Sequence, residues 1–143
     1  MRSFAYPATI DKDESDRFLV TFPDVERCAT DAPTLDEALA EAADALDEAI
    51  AQRIAAGLDI PAPSRLRRGQ RAVPLAAQMA AKAALAVAVR DAGISKSELA
   101  RRIDVGEAEV RRMLDPRHNT RLSRLEQGLA ALGQRLIVHA DAA

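Results

Sequence analysis

One stretch of the chain gathers side chains suited to reading a polyanion. Glu107, Ala108, Arg111 and Arg112 follow Gly106 at the spacing of one helical surface. An arginine makes two parallel hydrogen bonds to guanine, and a carboxylate accepts one from the amino group of cytosine. Lys96, Arg117, Asn119, Thr120 and Arg121 flank this quartet with groups suited to holding phosphates. The chemistry on offer is recognition.

Bond-breaking chemistry has less to stand on. The two histidines, His118 and His139, have no partner at triad or metal-ligand spacing, and no Gly-rich phosphate loop occurs. Asp11-Lys12-Asp13-Glu14-Ser15-Asp16 invites a calcium-loop reading. It fails because Asp16 stands where the sharp turn needs glycine, and Phe22 where the bidentate glutamate belongs. A solvated hairpin tip accounts for it better. Asp11, Asp13, Asp24 and Asp31 leave a two-metal nuclease as a minor alternative. No cofactor and no metal site is expected.

The recognition residues need elements to hold them. Ser95 and Glu98 have capping-box spacing and open a short helix with Leu99 and Ile103 inward. Ala100 lets a second helix cross closely. Asp104-Val105-Gly106 is a three-residue turn, and Val110, Met113 and Leu114 face inward on the next helix. Two short helices around a tight turn predict a helix-turn-helix, whose second helix enters the DNA major groove. A preceding helix spans Leu75 to Ala92, with Met79, Leu85 and Val89 on one face and Gly93 as its stop. Leu122, Leu125, Leu129 and Leu132 mark a last helix stopped by Gly133. Arg135 to His139 predicts a short C-terminal strand, and such a lone strand invites pairing with a second copy.

The N-terminal part reads differently. All four aromatics, Phe4, Tyr6, Phe18 and Phe22, fall there. Alternation at Phe4, Tyr6, Ala8 and Ile10, and at Phe18, Val20 and Phe22, predicts a hairpin. A third strand is expected near Cys28–Thr30. Thr34 and Glu37 form another capping box, and Leu35, Leu39, Ala42, Leu46, Ala49 and Ile54 trace the inner stripe of a helix ending before Gly57. Ile60-Pro61-Ala62-Pro63-Ser64 is stiff and extended. Arg71–Leu75 is a further candidate strand. The expected layout is an α+β domain over 1–64, a linker or short strand over 65–74, and an all-α domain over 75–143.

Charge divides the chain in the same way. Residues 1–64 hold 5 Lys+Arg against 14 Asp+Glu, a balance of −9, and residues 65–143 hold 15 against 8, a balance of +7. The basic half suits nucleic acid and the acidic half a basic protein. The single Cys28 excludes an intrachain disulfide and fits a reducing cytoplasm. The apolar run from Val73 to Val89 is too short and too alanine-rich to span a membrane, and no apolar leader opens the chain. A cytoplasmic protein is expected.

Tyr6-Pro7-Ala8, Thr21-Phe22-Pro23-Asp24, Ala29-Thr30-Asp31, Thr34-Leu35-Asp36-Glu37-Ala38-Leu39 and Ile60-Pro61-Ala62-Pro63-Ser64 follow one another in the order and spacing of the HicB antitoxin family. Over nearly the whole chain the sequence resembles the helix-turn-helix version of that family. The resemblance implies a degenerate ribonuclease-H-like N-terminal domain without nuclease activity, which binds and blocks a small basic HicA-type toxin that cleaves mRNA. It also implies a C-terminal domain that binds operator DNA as a homodimer or homotetramer. The toxin contact is then expected at Phe22, Pro23, Asp24 and the helix residues Asp44, Asp47 and Glu48. Two departures stand out. Glu26-Arg27 replaces a frequent Pro-Gly pair, and Asp104 with Gly106-Glu107 replaces a turn glycine and a Ser-Gln start. A stand-alone transcription regulator with an acidic partner-binding domain is the alternative.

Overall fold

A computed structural model describes residues 1–142. The element order is β1 (Ala5–Lys12), β2 (Phe18–Thr21), β3 (Ala29–Ala32), α1 (Leu35–Ala55), β4 (Gln70–Pro74), α2 (Ala77–Ala92), α3 (Lys96–Arg102), α4 (Glu107–Met113) and α5 (Leu122–Ala131). The chain divides into two compact units, Met1–Ala80 and Ala81–Ala143. It is an α+β protein with a four-stranded antiparallel sheet and five helices.

In the first unit the strand order is β3-β2-β1-β4. β1 and β2 meet through a tip that Asp13 builds: its Oδ1 accepts from the backbone N–H of Ser15 and of Arg17, both at 2.9 Å. The short polar side chain thus replaces a ladder bond at the turn. Register sets Tyr6 opposite Val73 and Ile10 opposite Val20. Tyr6, Ala8, Val20 and Val73 are buried, as the period-2 pattern requires.

α1 starts where Thr34 Oγ1 accepts from the Glu37 N–H at 3.2 Å. It stops where Gly57, at φ +66°, turns the chain left-handed and lets the Leu58 N–H bond back to Arg53 O at 2.9 Å. Asp36 and Glu37 in the first turn and Arg53 in the last complement the helix dipole. The buried stripe is Ala38, Ala42, Leu46, Ile50 and Ile54, with Ala51 beside it. This corrects the expected stripe: Leu35, Leu39 and Ala49 are only half-buried. Alanines occupy the upper part of the true stripe because the helix crosses β2 and β3 there, and Thr30 Oγ1 donates to Ala38 O at 3.1 Å.

The proline segment is strapped down. Tyr6 Oη donates to Pro61 O at 2.7 Å and Arg2 to Ile60 O at 2.8 Å. The chain then turns through Gly69 and enters β4, which completes the sheet beside β1.

In the second unit Ala81, Leu85, Leu99, Ala100, Ile103, Val110, Met113, Leu125 and Leu129 form one core. Each fully buried Leu or Val contributes roughly 1.5–3 kcal/mol. Gly128 marks where α5 comes closest: a Cβ there would lie 2.8 Å from Met113 Cε and 3.1 Å from Leu85 Cδ1. The expected C-terminal strand is not formed. Residues 134–142 carry no regular structure, and Ile137 and Val138 are 62 % and 74 % exposed. A strand needs a partner for its backbone groups, and none of the strands pairs with this tail.

Candidate functional site

Two surfaces carry the residues singled out from the sequence. The first is built by α3, the turn and α4. Ser95 Oγ caps α3 by accepting from the Glu98 N–H at 3.0 Å, and α3 ends at Ile103. The turn is made by Asp104 at φ +54°, a left-handed conformation that favours glycine. The Val105 N–H bonds back to Ala100 O at 3.0 Å, and Gly106 opens α4. Val110 and Met113 are buried, which leaves Glu107, Ala108, Arg111 and Arg112 exposed.

These arginines are not bare charges. Arg111 pairs with Glu107 at 3.1 Å and Arg112 with Glu109 at 2.6 Å, while Arg124 of α5 lies 3.5 Å from Glu109. On α3, Glu98 accepts from Arg101 and Arg102, and these bonds hold its carboxyl down at about 2. Glu109 is lowered for the same reason, chiefly by Arg112. Glu98 and Glu109 do not stand out in the sequence as site residues, although i,i+3 spacing to an arginine is the signal that finds them. Lys96, Arg117, Asn119 and Arg121 are exposed.

Thr120 does not belong with them. It is 5 % exposed, and its hydroxyl is used inside the unit, so it cannot face a phosphate. It receives a 2.8 Å hydrogen bond from Lys82 Nζ. Lys82 is fully buried and also donates to Arg112 O at 2.8 Å and Met113 O at 3.2 Å, the last carbonyls of α4. A lysine here satisfies the last carbonyl of α4, Met113 O, adds a bond to Arg112 O, and puts positive charge at the negative end of the helix. Burial pulls its ammonium down to about 8, against the pull of Asp115 and Glu109. Lys82 is the positioning residue of α4, and the sequence showed it only as one charge inside an apolar run.

The second surface lies on the first unit. Pro23, Asp44 and Glu48 are exposed, but the other expected contact residues have internal work. Phe22 is 4 % exposed and belongs to the core. Asp24 accepts from the Ser64 N–H at 2.8 Å and from Ser64 Oγ at 3.0 Å, fastening the proline segment. Asp47 accepts from the Ala76 N–H at 3.0 Å, and burial raises its carboxyl above the usual range. Besides Asp36 in the first turn, the exposed carboxylates of α1 are instead Glu37, Glu41, Asp44 and Glu48. The spacing of these four puts them in one row along the helix. Glu37 and Glu41 escape a reading that follows the apolar stripe.

The aspartates that could have been nuclease remnants are dispersed in their uses. Asp13 holds the hairpin tip, Asp24 holds Ser64, and Asp31 pairs with Arg17 at 2.8 Å. Among the described residues no three His, Cys, Asp or Glu side chains converge as metal ligands. His118 lies 3.1 Å from Thr120 Oγ1 and His139 3.1 Å from Asp141, so neither histidine joins a carboxylate and a nucleophile.

A family model described as the HicB-like antitoxin of bacterial toxin–antitoxin systems matches residues 5–84. The chain belongs to the HicB-like antitoxin family. The match spans the sheet, α1 and the start of α2. Similarity to individual HicB antitoxins runs further. Antitoxin HicB 1 of Photorhabdus laumondii is 32 % identical over 95 % of this chain and 86 % of its own. Antitoxin HicB 2 of the same organism is 33 % identical over 94 % and 95 %. Antitoxin HicB of Escherichia coli K12 is 30 % identical over 92 % and 95 %. The HicB-like family is one of antitoxins and not of enzymes. Among the described residues no helix is long and apolar enough to cross a membrane.

Proposed function

We propose that the chain is a cytoplasmic antitoxin with two binding faces: the first unit neutralises a HicA-type toxin, and the second binds the operator of its own operon. The first unit is then a degenerate ribonuclease-H-like domain, and α3 with α4 a helix-turn-helix. The observation that carries the toxin half is the row Glu37, Glu41, Asp44 and Glu48 on α1, within an N-terminal half of charge −9. A small basic ribonuclease presents the complementary surface, and occluding it needs no catalytic group.

The DNA half rests on α4. Its outward residues Glu107, Ala108 and Arg111 lie in its first turns, where a recognition helix meets base edges. Its far end is pinned by Lys82, which fixes the angle at which that face is offered. Arg111 gives up Glu107 when it meets a guanine, so the internal pair acts as a selectivity step. The apolar tail at Ile137 and Val138 pairs with a second copy, and a two-fold dimer reads half-sites about 34 Å apart or a multiple of that.

Co-expression with a HicA-type toxin tests the first half. Wild-type chain restores growth and co-purifies with the toxin; a chain with Glu37, Glu41, Asp44 and Glu48 all changed to Lys does neither. Rescue by that variant removes the α1 row from the proposal. Gel shift on the operon's own promoter tests the second half. Arg111→Ala costs about 1–3 kcal/mol of preference for the operator over random duplex. An unchanged preference rules out α4 as the reader.

A further inference from the structure

Two groups of the chain's arginines contrast. Those on α3 and α4 are paired with glutamates of the same helices. Arg65, Arg67, Arg68 and Arg71 are exposed, and no carboxylate lies against any of them among the described residues.

The segment that carries them is a built turn. Gln70 closes it from both sides: its Oε1 accepts from the Arg67 N–H at 2.9 Å, and its own N–H bonds to Arg67 O at 3.1 Å. The Gln70 amide then donates to Thr9 Oγ1 on β1 at 3.1 Å, which ties the turn to the sheet. Gly69, at φ +83°, allows the reversal. β4 is an edge strand, and a charge on such a strand guards it against pairing with other chains. Arg71 alone meets that need. Edge protection leaves the other three guanidiniums unexplained, and so does solubility, because the rest of this unit already carries excess negative charge.

We propose that the turn 65–71 is a second nucleic-acid contact, a sequence-independent clamp on the phosphates of duplex DNA. The choice of duplex DNA rests on the operator-binding reading above; the presence of a polyanion site does not. Four guanidiniums without internal partners neutralise phosphates directly, whereas those of α4 must first release a glutamate. Contacts of this kind supply affinity and carry no sequence information.

The test uses the full chain and a random-sequence DNA duplex, with binding followed across salt concentrations. The variant changes Arg65, Arg67, Arg68 and Arg71 together to Gln. All four are exposed, and an unchanged thermal melt of the variant verifies its fold. Wild-type binding weakens steeply with salt; each phosphate that the variant no longer neutralises flattens the log–log slope by about 0.9. The expected result is a slope shallower by roughly two to four units, with at least about ten-fold weaker binding at low salt. An equal slope in the two proteins overturns the proposal, as does a weakening confined to single-stranded RNA or to a protein partner. Operator preference, the ratio of operator to random duplex, stays with α4. Its absence sinks the operator reading and leaves the clamp standing if the slope still changes.

Discussion

Each unit buries one large polar side chain and spends it on backbone carbonyls, yet the two choices differ. In the first unit Tyr6 reaches Pro61 O with a neutral hydroxyl. In the second, Lys82 reaches Arg112 O and Met113 O with an ammonium, and Thr120 Oγ1 takes its third donor. A phenol fastens a strap at small electrostatic cost. An ammonium satisfies a whole helix end but must be desolvated to do so. The strap needs only to be held. Arg112 O, Met113 O and Thr120 Oγ1 take three donors from one side chain, more than a hydroxyl can supply.

The comparison breaks first at Lys82. Lys82→Met leaves Met113 O without its side-chain donor, removes one bond each from Arg112 O and Thr120 Oγ1, and is expected to cost about 2–3 kcal/mol. The effect shows as faster amide hydrogen exchange in α4, with β1 and β2 unchanged. Protection reduced equally in both units refutes a local role. Tyr6→Phe removes a single bond and is expected to cost about 1 kcal/mol, read as weakened protection of β1.

Alkaline pH sharpens the contrast because the two groups shift in opposite directions. Burial raises Tyr6 to about 12, so the unfolded chain ionises first. Its contribution is complete below pH 10 and is lost as pH rises through about 12. Lys82 is lowered to about 8, so the folded chain releases its proton first. Only the pH-linked part of its effect changes: the penalty for burying the charge is carried in full below about pH 8 and is relieved as pH rises toward 10.5. Exchange protection of α4 is expected to rise from pH 8 to 10 after correction for intrinsic rates, and Lys82→Met abolishes the rise.

The smallest effect comes from two turns. Arg27 and Asp104 hold φ of +58° and +54°. This is the left-handed region that glycine enters without steric cost, and neither residue is glycine. Arg27→Gly and Asp104→Gly are each expected to stabilise by about 0.5–1 kcal/mol, seen as a higher urea midpoint. Destabilisation by either shows that its side chain has a use that outweighs the strain.

Local rules made much of the fold legible. The caps at Thr34 and Ser95 and the left-handed glycines Gly57, Gly93 and Gly133 are set within a few residues, and so they read directly. The hairpin alternation was legible for the same reason. What escaped depended on partners far along the chain. Asp24 meets Ser64 forty residues on, Asp47 meets Ala76, and Lys82 meets Thr120. Each looked like surface charge or a stray polar residue until the fold brought its partner in. The α1 stripe failed differently: leucine outweighs alanine on any hydropathy count, but where a helix crosses strands closely the alanines are what fit.

Met113 carries a last consequence. Its methyl sits against Gly128 with no room for another atom, and the side chain is fully buried. Buried there, the sulfur meets peroxide only while the second unit is open. Met1, wholly exposed, is oxidised at the solvent rate and serves as an internal reference. The ratio of the two rates measures how often the unit opens. Once oxidised, Met113 returns to its buried place only at the cost of burying a polar sulfoxide, so each opening in an oxidising cell leaves a mark until a reductase repairs it.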